Sequence, residues 1–260
     1  MSRHAWLLIP ILLLSSPLAA QTPEEKGLAI AVEADRRDSG WGDMQGELEM
    51  ILRNRNGDES RRQLRSRSLE VKGDGDKTLI IFDAPPDVKG TAFLSYTHAT
   101  RPDDQWLYLP ALKRVKRISS ANKSGPFMGS EFAYEDIASQ EVEKYRYKYL
   151  RDEVLDGRPV FVIERYPRYR NSGYTRQVAW IDQETYRPAK VEFYDRKNAL
   201  LKTLTYHDYK LHLGRYWRAH RMEMVNHQTG KSTTLLWKNI RFRTGLTARD
   251  FDRNALKRAR

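Results

Sequence analysis

Hydrophobic and polar residues alternate with a period of two along most of this chain. In the segment 47–53, Leu48, Met50 and Leu52 fall on one side of an extended chain, and the charged residues fall on the other side. Successive side chains of a β-strand point to opposite faces of a sheet. The pattern therefore predicts a strand with one buried face and one solvated face.

The same alternation predicts many further strands, which are separated by short turns. Asn56-Gly57 and Asp156-Gly157 are dipeptides typical of hairpin turns. The further strands are predicted at 61–71, 78–82, 90–97, 105–109, 112–118, 144–149, 159–166, 175–182, 187–195, 200–211, 215–227 and 231–243. Short connections favour one continuous antiparallel sheet, and a sheet this long curls until it closes or leaves a concave face. We therefore predict a mainly β fold.

Three segments interrupt the alternation and have helical features. In residues 22–38, Thr22 can cap a helix that begins at a proline, and Leu28, Ala31 and Val32 share one helical face. Residues 119–140 predict a loop with a short helix or two, and residues 247–258 predict a final helix. These segments are positioned to cover the concave face of the curled sheet.

Residues 1–20 have the order of parts typical of a secretory signal peptide. A short basic start precedes the apolar run 5–14, and small residues follow it. The run is too short to span a bilayer, which takes about 20 apolar residues. We predict cleavage after Ala20, export to the periplasm and one domain over residues 21–260. The chain contains no cysteine, so neither disulfides nor a cysteine-linked lipid anchor is expected.

The chain is strongly basic. It has 46 Lys and Arg residues against 34 Asp and Glu residues, a formal net charge of +12. This excess is compatible with a nucleic acid partner, with an anionic membrane surface or lipid, or with plain solubility. Export disfavours nucleic acid. One predicted strand has a cationic face, which is either solvated or in contact with lipid headgroups or an acidic partner: Lys113, Arg114, Lys116 and Arg117.

The sequence offers no recognisable catalytic constellation. It lacks a G-x-S-x-G elbow, a P-loop and an H-E-x-x-H pair, and without cysteine it has no thiolate chemistry. The Gly73–Asp76 stretch lacks the third glycine of a dinucleotide site and is interpreted as a turn. We therefore predict no catalytic residues, no metal site and no cofactor, and a protein that is not an enzyme.

Aromatic residues suggest two different uses. In the strand 144–149, three tyrosines share one face and the cations share the other. Seven further aromatic residues lie in segments expected to be half buried, where they either fill an ordinary core or line a cavity for acyl chains. These candidate lipid-binding residues are Phe82, Phe93, Trp106, Tyr108, Phe127, Phe132 and Tyr134.

Several short stretches, in the same order, resemble a known family. They are GTAFL at 90–94, DQWLYLP at 104–110, RVKRI at 114–118 and FMGSEFAYED at 127–136, followed by matches at 156–157, 188–195 and 216–218. Together they resemble the LolA-like outer-membrane lipoprotein-sorting protein family, and within it a branch often encoded beside RND-type (MMPL-like) exporters. The resemblance extends over residues 24–256.

This resemblance implies an unclosed antiparallel β-barrel whose hydrophobic cavity is covered by helices. It also implies a periplasmic carrier that shields a lipid or lipoprotein acyl chain between the inner and outer membranes. The implied partners are that cargo, an inner-membrane RND/MMPL-type transporter and, transiently, a membrane, and a carrier of this kind is expected to be a monomer. The alternative is a non-transporting adaptor that docks on an exporter or a membrane through its basic face.

Overall fold

The computed structural model describes residues 21–258. The predicted signal peptide, residues 1–20, lies outside the described residues. Helix α1 spans Pro23–Asp38, and the strands span Asp43–Arg53 (β1), Glu59–Leu69 (β2), Lys77–Ala84 (β3), Ala92–Tyr96 (β4), Asp104–Leu109 (β5), Arg114–Ile118 (β6), Tyr145–Leu155 (β7), Arg158–Pro167 (β8), Arg176–Asp182 (β9), Pro188–Tyr194 (β10), Leu200–His212 (β11), Tyr216–Asn226 (β12) and Ser232–Phe242 (β13). Short 3-10 turns lie at Pro110–Leu112, Ser120–Asn122, Phe127–Gly129, Val142–Lys144 and Ala248–Phe251, and helix α2 spans Arg253–Arg258.

Within residues 21–258, all 13 strands belong to one sheet. The strand order is β6-β5-β4-β3-β2-β1-β13-β12-β11-β10-β9-β8-β7, and every neighbouring pair is antiparallel. The first and last strands pair in the middle of the sheet, so β6 and β7 are left as its two edges. These edges do not pair with each other. The predicted mainly β fold, a curved antiparallel sheet that forms an unclosed barrel, is confirmed.

Helix α1 begins where the sequence predicts, because a capping box fixes its start. The Thr22 hydroxyl accepts a hydrogen bond from the Glu25 backbone at 3.2 Å, and the Glu25 carboxylate accepts one from the Thr22 backbone at 2.9 Å. The helix packs on β7 through Gly27, where an added Cβ would lie 2.7 Å from the backbone nitrogen of Tyr149.

The buried face of α1 differs from the predicted one. Gly27 and Ile30 are buried, whereas Leu28 and Val32 are 46% and 48% exposed. The close approach of the helix to the β7 backbone is possible only at a residue without a side chain. Gly27 therefore sets the rotation of the helix, and the larger apolar residues of the predicted face remain at the surface.

The connection between the two edge strands enters the barrel. Residues 119–144, called the plug segment below, contain 3-10 turns and no α-helix, so the short helices expected here are replaced by tighter turns. Phe127 and Phe132 of this segment are almost completely buried against the inner face of the sheet. The plug segment thereby fills the part of the barrel beneath β1–β5.

The C-terminal segment lies on the opposite side of the sheet. Phe251 and Leu256 are buried in a separate cluster with Leu79, Ile81 and Leu94, whose side chains point away from the barrel interior. The final helix is also shorter than predicted, since the Ala248–Phe251 stretch is a 3-10 turn. This segment therefore does not cover the concave face, which is covered by α1.

None of the helices between residues 21 and 258 has the length and hydrophobicity needed to cross a membrane.

Candidate functional site

A cavity of about 960 Å³ lies between α1 and the inner face of the sheet half formed by β7–β13. This volume is at the upper end of the range of about 300–1,000 Å³ usual for ligand pockets. Its wall consists mainly of apolar and aromatic side chains, which α1 and the seven strands β7–β13 contribute: Ile30, Ala31, Tyr147, Ile163, Ala179, Ile181, Val191, Tyr206, Met222 and Trp237. An apolar wall of this kind favours hydrocarbon over water.

The cavity opens at one end of the barrel. Its rim is formed by the segments 38–41, 70–76, 185–188 and 215–218. These segments lie at the same end of the sheet, and they include exposed residues such as Lys72. Away from the segment 185–188, toward the first residues of β9, the cavity wall includes Tyr147 and Arg165.

Carboxylates crowd one side of the rim. Burial, followed by repulsion from Glu141, raises the pKa of Asp76 to about 7. Burial also raises the pKa of Glu141. The Ser139 hydroxyl donates to Glu141 at 2.6 Å and accepts from the Asp76 backbone at 3.3 Å, so the serine holds the two acids beside each other. This side of the rim can therefore hold protons near neutral pH.

The opposite wall carries two arginines without carboxylate partners among the described residues. The Nε atom of Arg165 donates to the buried Gln177 side chain at 2.6 Å. The guanidinium of Arg187 lies between the rings of Tyr209 and Trp217, 4.4 Å and 4.5 Å from their centroids. Burial, followed by repulsion from Arg158, lowers the pKa of Arg187. Both cations face the cavity.

The seven aromatic residues predicted to bind lipid do not line this cavity. Five of them, Phe82, Phe93, Phe127, Phe132 and Tyr134, come together in the core beside it. Phe127 is central there, since its ring centroid lies 5.1 Å from that of Phe93, 5.4 Å from that of Tyr134 and 6.0 Å from that of Phe82. The plug segment contributes Phe127, Phe132 and Tyr134, and strands β3 and β4 contribute Phe82 and Phe93, so the β1–β5 half is filled.

The other two predicted aromatics lie on the outer side of the sheet. Trp106 and Tyr108 pack against the cluster that holds the C-terminal helix. The Trp106 ring meets that of Tyr96 at 5.1 Å. The alternation along β5 carries these two side chains to the face opposite Leu107, which is buried inside the barrel.

The predicted cationic face is also separate from the cavity. Lys113, Arg114, Lys116 and Arg117 are exposed on or next to β6, an edge strand. Arg117 forms an ion pair with Asp104 on the neighbouring strand. None of these cations lines the cavity.

Polar contacts hold the plug segment in place. Lys202, which projects inward from β11, lies 2.7 Å from Asp136 and also donates to the Glu131 carbonyl at 2.8 Å. Both members of this ion pair are at least nine-tenths buried. Glu135 accepts hydrogen bonds from the Tyr169 and Ser172 hydroxyls, each at 2.9 Å. The segment is thus fixed by buried charges as well as by aromatic packing.

Sequence reasoning missed the residues that form the cavity. A signal was present for Tyr147, because the tyrosines of the strand 144–149 share one face, and that face turns out to point inward. No local signal marked Arg165, which interrupts the apolar inner face of β8. Its role depends on strands that are distant in sequence.

Solved structures similar to this chain share its fold over almost their whole length. The outer membrane lipoprotein-sorting protein domain from Vibrio parahaemolyticus is 63% identical, with a TM-score of 0.89, over 90% of this chain and 99% of that chain. A DUF1329 family protein from Desulfovibrio piger is 32% identical, with a TM-score of 0.85 and coverage of 90% and 99%. A LolA superfamily protein from Nitrosomonas europaea is 22% identical, with a TM-score of 0.71 and coverage of 88% and 98%, which indicates a common fold.

Two further comparisons complete this picture. A family model described only as "-like: Uncharacterized protein" matches residues 74–258. No match was found among curated proteins. Since the domain from Vibrio parahaemolyticus is closely related in sequence and matches over almost its entire length, this chain belongs to the LolA-like family of outer-membrane lipoprotein-sorting proteins.

Proposed function

We propose that this protein is a periplasmic carrier that shields a lipid or lipoprotein acyl chain in its cavity during transfer between the inner and outer membranes. The observation that carries the proposal is the cavity of about 960 Å³, which is walled by apolar and aromatic side chains and opens at one end. Each CH₂ group moved from water into such a site contributes about 0.8 kcal/mol. Burial alone therefore supplies the affinity, and the proposed activity needs no catalytic group.

The setting of the carrier is part of the proposal. Residues 1–20 would direct export, and residues 21–260 would form the mature carrier domain, which acts as a monomer. An inner-membrane RND/MMPL-type transporter would supply the cargo. Relatives described as lipoprotein-sorting proteins support the periplasmic setting and a lipid or lipoprotein cargo. The transporter is inferred from the family branch that the sequence resembles.

The seven aromatic residues predicted to bind lipid would contact cargo only after a rearrangement of the barrel interior. Phe93 and Phe127 could contact cargo only if the plug segment moved out of the β1–β5 half of the barrel, because their rings are now packed against each other. In the present arrangement, the cargo would contact the wall beside Tyr147, Val191 and Met222.

A second function is favoured by one surface feature. The four cations on or next to β6 are exposed along a sheet edge and lie away from the cavity. A strand edge with a cationic surface can dock on an anionic membrane or on an acidic protein. The alternative is therefore a non-transporting adaptor that binds an exporter or a membrane through this face.

Native purification tests the carrier proposal. The mature protein would be isolated from the periplasm without detergent and extracted with organic solvent, and co-purified lipids would be identified by mass spectrometry. We expect a stoichiometric acylated species. Ala34→Trp should reduce its amount at least about threefold, because Ala34 lines the cavity and a large ring there occupies cargo space.

Ala29→Trp is the matched control, since Ala29 lies on the exposed side of the same helix. This variant should retain the wild-type amount of lipid. The carrier proposal fails if the wild-type protein contains no more lipid than an unrelated periplasmic protein and takes up no fluorescent fatty-acid probe. That result would favour the adaptor.

A further inference from the structure

Arg165 occupies an unusual position at the inner end of the cavity. It lies on β8, directly opposite Tyr147 of β7 and Gln177 of β9 in the strand register. Gln177 is near the start of β9, whereas the rim segment 185–188 follows the end of that strand. Along β9, Arg165 therefore lies at the opposite end from the rim segment 185–188.

Only one of the three guanidinium nitrogens of Arg165 has a hydrogen-bond partner among the described residues. Nε donates to Gln177, and the ring of Tyr145 lies 5.2 Å from the guanidinium carbon. Within residues 21–258, neither terminal nitrogen of Arg165 has a hydrogen-bond acceptor or an ion-pair partner. A half-buried guanidinium has five N–H donors and no acceptor, so two nitrogens remain available to an anion with planar or tetrahedral oxygens.

Two phenols beside Arg165 are also without partners. The side chain of Tyr147 is only 8% exposed, and no described residue forms a hydrogen bond with its hydroxyl or with that of Tyr206. Both residues line the cavity. Burial raises the pKa of Tyr206 to about 12 and also raises the pKa of Tyr147, while the nearby charge of Arg165 opposes both shifts. The two hydroxyls are therefore protonated donors within the field of the cation.

We infer that Arg165, Tyr147 and Tyr206 form an anion-binding subsite at the inner end of the cavity, which takes the acidic head of a single-chain amphiphile. This inference rests on the proposed carrier function and specifies the chemistry of the cargo. The head is a carboxylate or a phosphate monoester. Its hydrocarbon chain runs toward the rim along Ile163, Ile181 and Val191.

Both acids and cations line the rest of the cavity. Asp76 and Glu141 line the cavity beside the rim segment 70–76, where Ser139 holds them next to each other. Asp35 of α1 and Glu143 of the turn before β7 are the acids that act on Tyr147, Asp136 acts on Tyr206, and Arg165 acts on both phenols. Arg187 at the rim is stacked between the rings of Tyr209 and Trp217, whereas Arg165 has two phenol donors beside it, so an anion that reaches Arg165 can accept several hydrogen bonds at once.

The experiment compares three amphiphiles that have the same chain. Delipidated mature protein would be titrated with dodecanoate, dodecyl phosphate and dodecanol at about pH 8, where both acids are ionised. Binding would be followed through the fluorescence of Trp217 and Trp237, which line the cavity. We expect at least one anionic amphiphile to bind about 10- to 100-fold more tightly than dodecanol, as charge-assisted hydrogen bonds imply.

Variants test the assignment. Arg165→Met should reduce the preference for the anion about tenfold or more, and Arg165→Lys should retain part of it. Tyr147→Phe, which keeps the ring in place, should reduce it about threefold. The matched control is Arg168→Met, because Arg168 is exposed just beyond β8 and its removal changes the net charge equally. This control should leave the preference unchanged.

The outcomes separate the subsite from the carrier function. Tighter binding of dodecanoate identifies a carboxylate head, and tighter binding of dodecyl phosphate identifies a phosphate head. Equal affinities for the anions and dodecanol in the wild type, or an equal loss in the Arg168 and Arg165 variants, would overturn the subsite and leave the carrier proposal intact. Absence of binding by all three amphiphiles would overturn the carrier proposal and, with it, this inference.

Discussion

Asp76 illustrates how the cavity alters the chemistry of one residue. Its carboxyl group accepts a hydrogen bond from the Val71 backbone at 3.3 Å and lies near Glu141 in a partly buried turn. Burial disfavours the charged form, and the neighbouring acid adds repulsion. The pKa of Asp76 is therefore raised from its ordinary value of 3.8 to about 7.

This shift predicts a loss of stability as the pH rises. Between pH 3.8 and about pH 7, the folded state keeps a proton on Asp76 that the unfolded chain releases, so the free energy of unfolding falls as the pH rises through this window. We expect the wild type to lose about 1–3 kcal/mol from this group between about pH 5 and pH 8. Asp76→Asn should remove most of that loss.

Urea unfolding at the two pH values measures the effect. Asp87→Asn is the control, because Asp87 is an exposed acid and its removal should leave the pH dependence as in the wild type. If Asp76→Asn and the wild type lose equal stability between the two pH values, the raised pKa is refuted.

At the scale of elements, the plug segment decides the shape of the interior. Its aromatic residues close one half of the barrel, and Lys202 of β11 anchors it through Asp136. A buried ion pair is strongly coupled, because removal of one partner leaves the other charged in a medium of low polarity. The anchor thus joins the plug segment to the strand wall of the cavity.

Breaking this anchor should loosen the segment. Lys202→Met is expected to destabilise the protein by about 3–5 kcal/mol, since Asp136 is left without its cation. The double variant with Asp136→Asn should recover a large part of that loss, because the amide keeps an acceptor for the Tyr174 hydroxyl. Urea unfolding measures stability, and limited proteolysis should show faster cleavage within 119–144 in the single variant.

Lys197→Met provides the control for the loss of a lysine, since Lys197 is exposed in a turn. It should change the urea midpoint little. A Lys202→Met protein with the wild-type midpoint and cleavage pattern would show that the ion pair does not hold the segment.

At the scale of the whole molecule, the group of exposed cations on or next to β6 and the opening of the cavity lie in different places. The formal net charge of +12 is spread over the surface, and one edge strand concentrates four exposed cations. The cavity has its opening at the ends of other strands. Docking and cargo binding can therefore be tested independently.

Vesicle binding tests the role of the cationic edge. Replacement of Lys113, Arg114, Lys116 and Arg117 by Gln should weaken binding to vesicles with anionic lipid at least about tenfold at low salt, because each cation near such a surface contributes about 1 kcal/mol. Co-sedimentation with anionic and neutral vesicles is the measurement. Cargo content should remain unchanged in this variant.

A second quadruple variant controls for net charge. It replaces exposed cations away from β6, namely Arg168, Arg170, Lys197 and Lys231. An equal loss of vesicle binding in both variants would mean that overall charge governs association and that the β6 edge is not a docking site.

The sequence by itself determined most of the strands and their arrangement in one continuous antiparallel sheet. Alternation and turn residues are local signals, so β1, the hairpins and the capped start of α1 could be read directly from the chain. The helix face was missed, because packing through Gly27 requires the backbone of β7, which is far away in sequence.

Only the tertiary structure decided which part of the barrel stays open. Phe127 and Tyr147 are both inward-facing aromatics, yet one is packed in a filled half and the other lines the cavity. The difference arises because the plug segment folds into one half and is held there by Lys202, 66 residues away from Asp136. Periodicity predicts which face of a strand points inward. Whether an inward side chain packs against another side chain or lines a cavity depends on such long-range contacts.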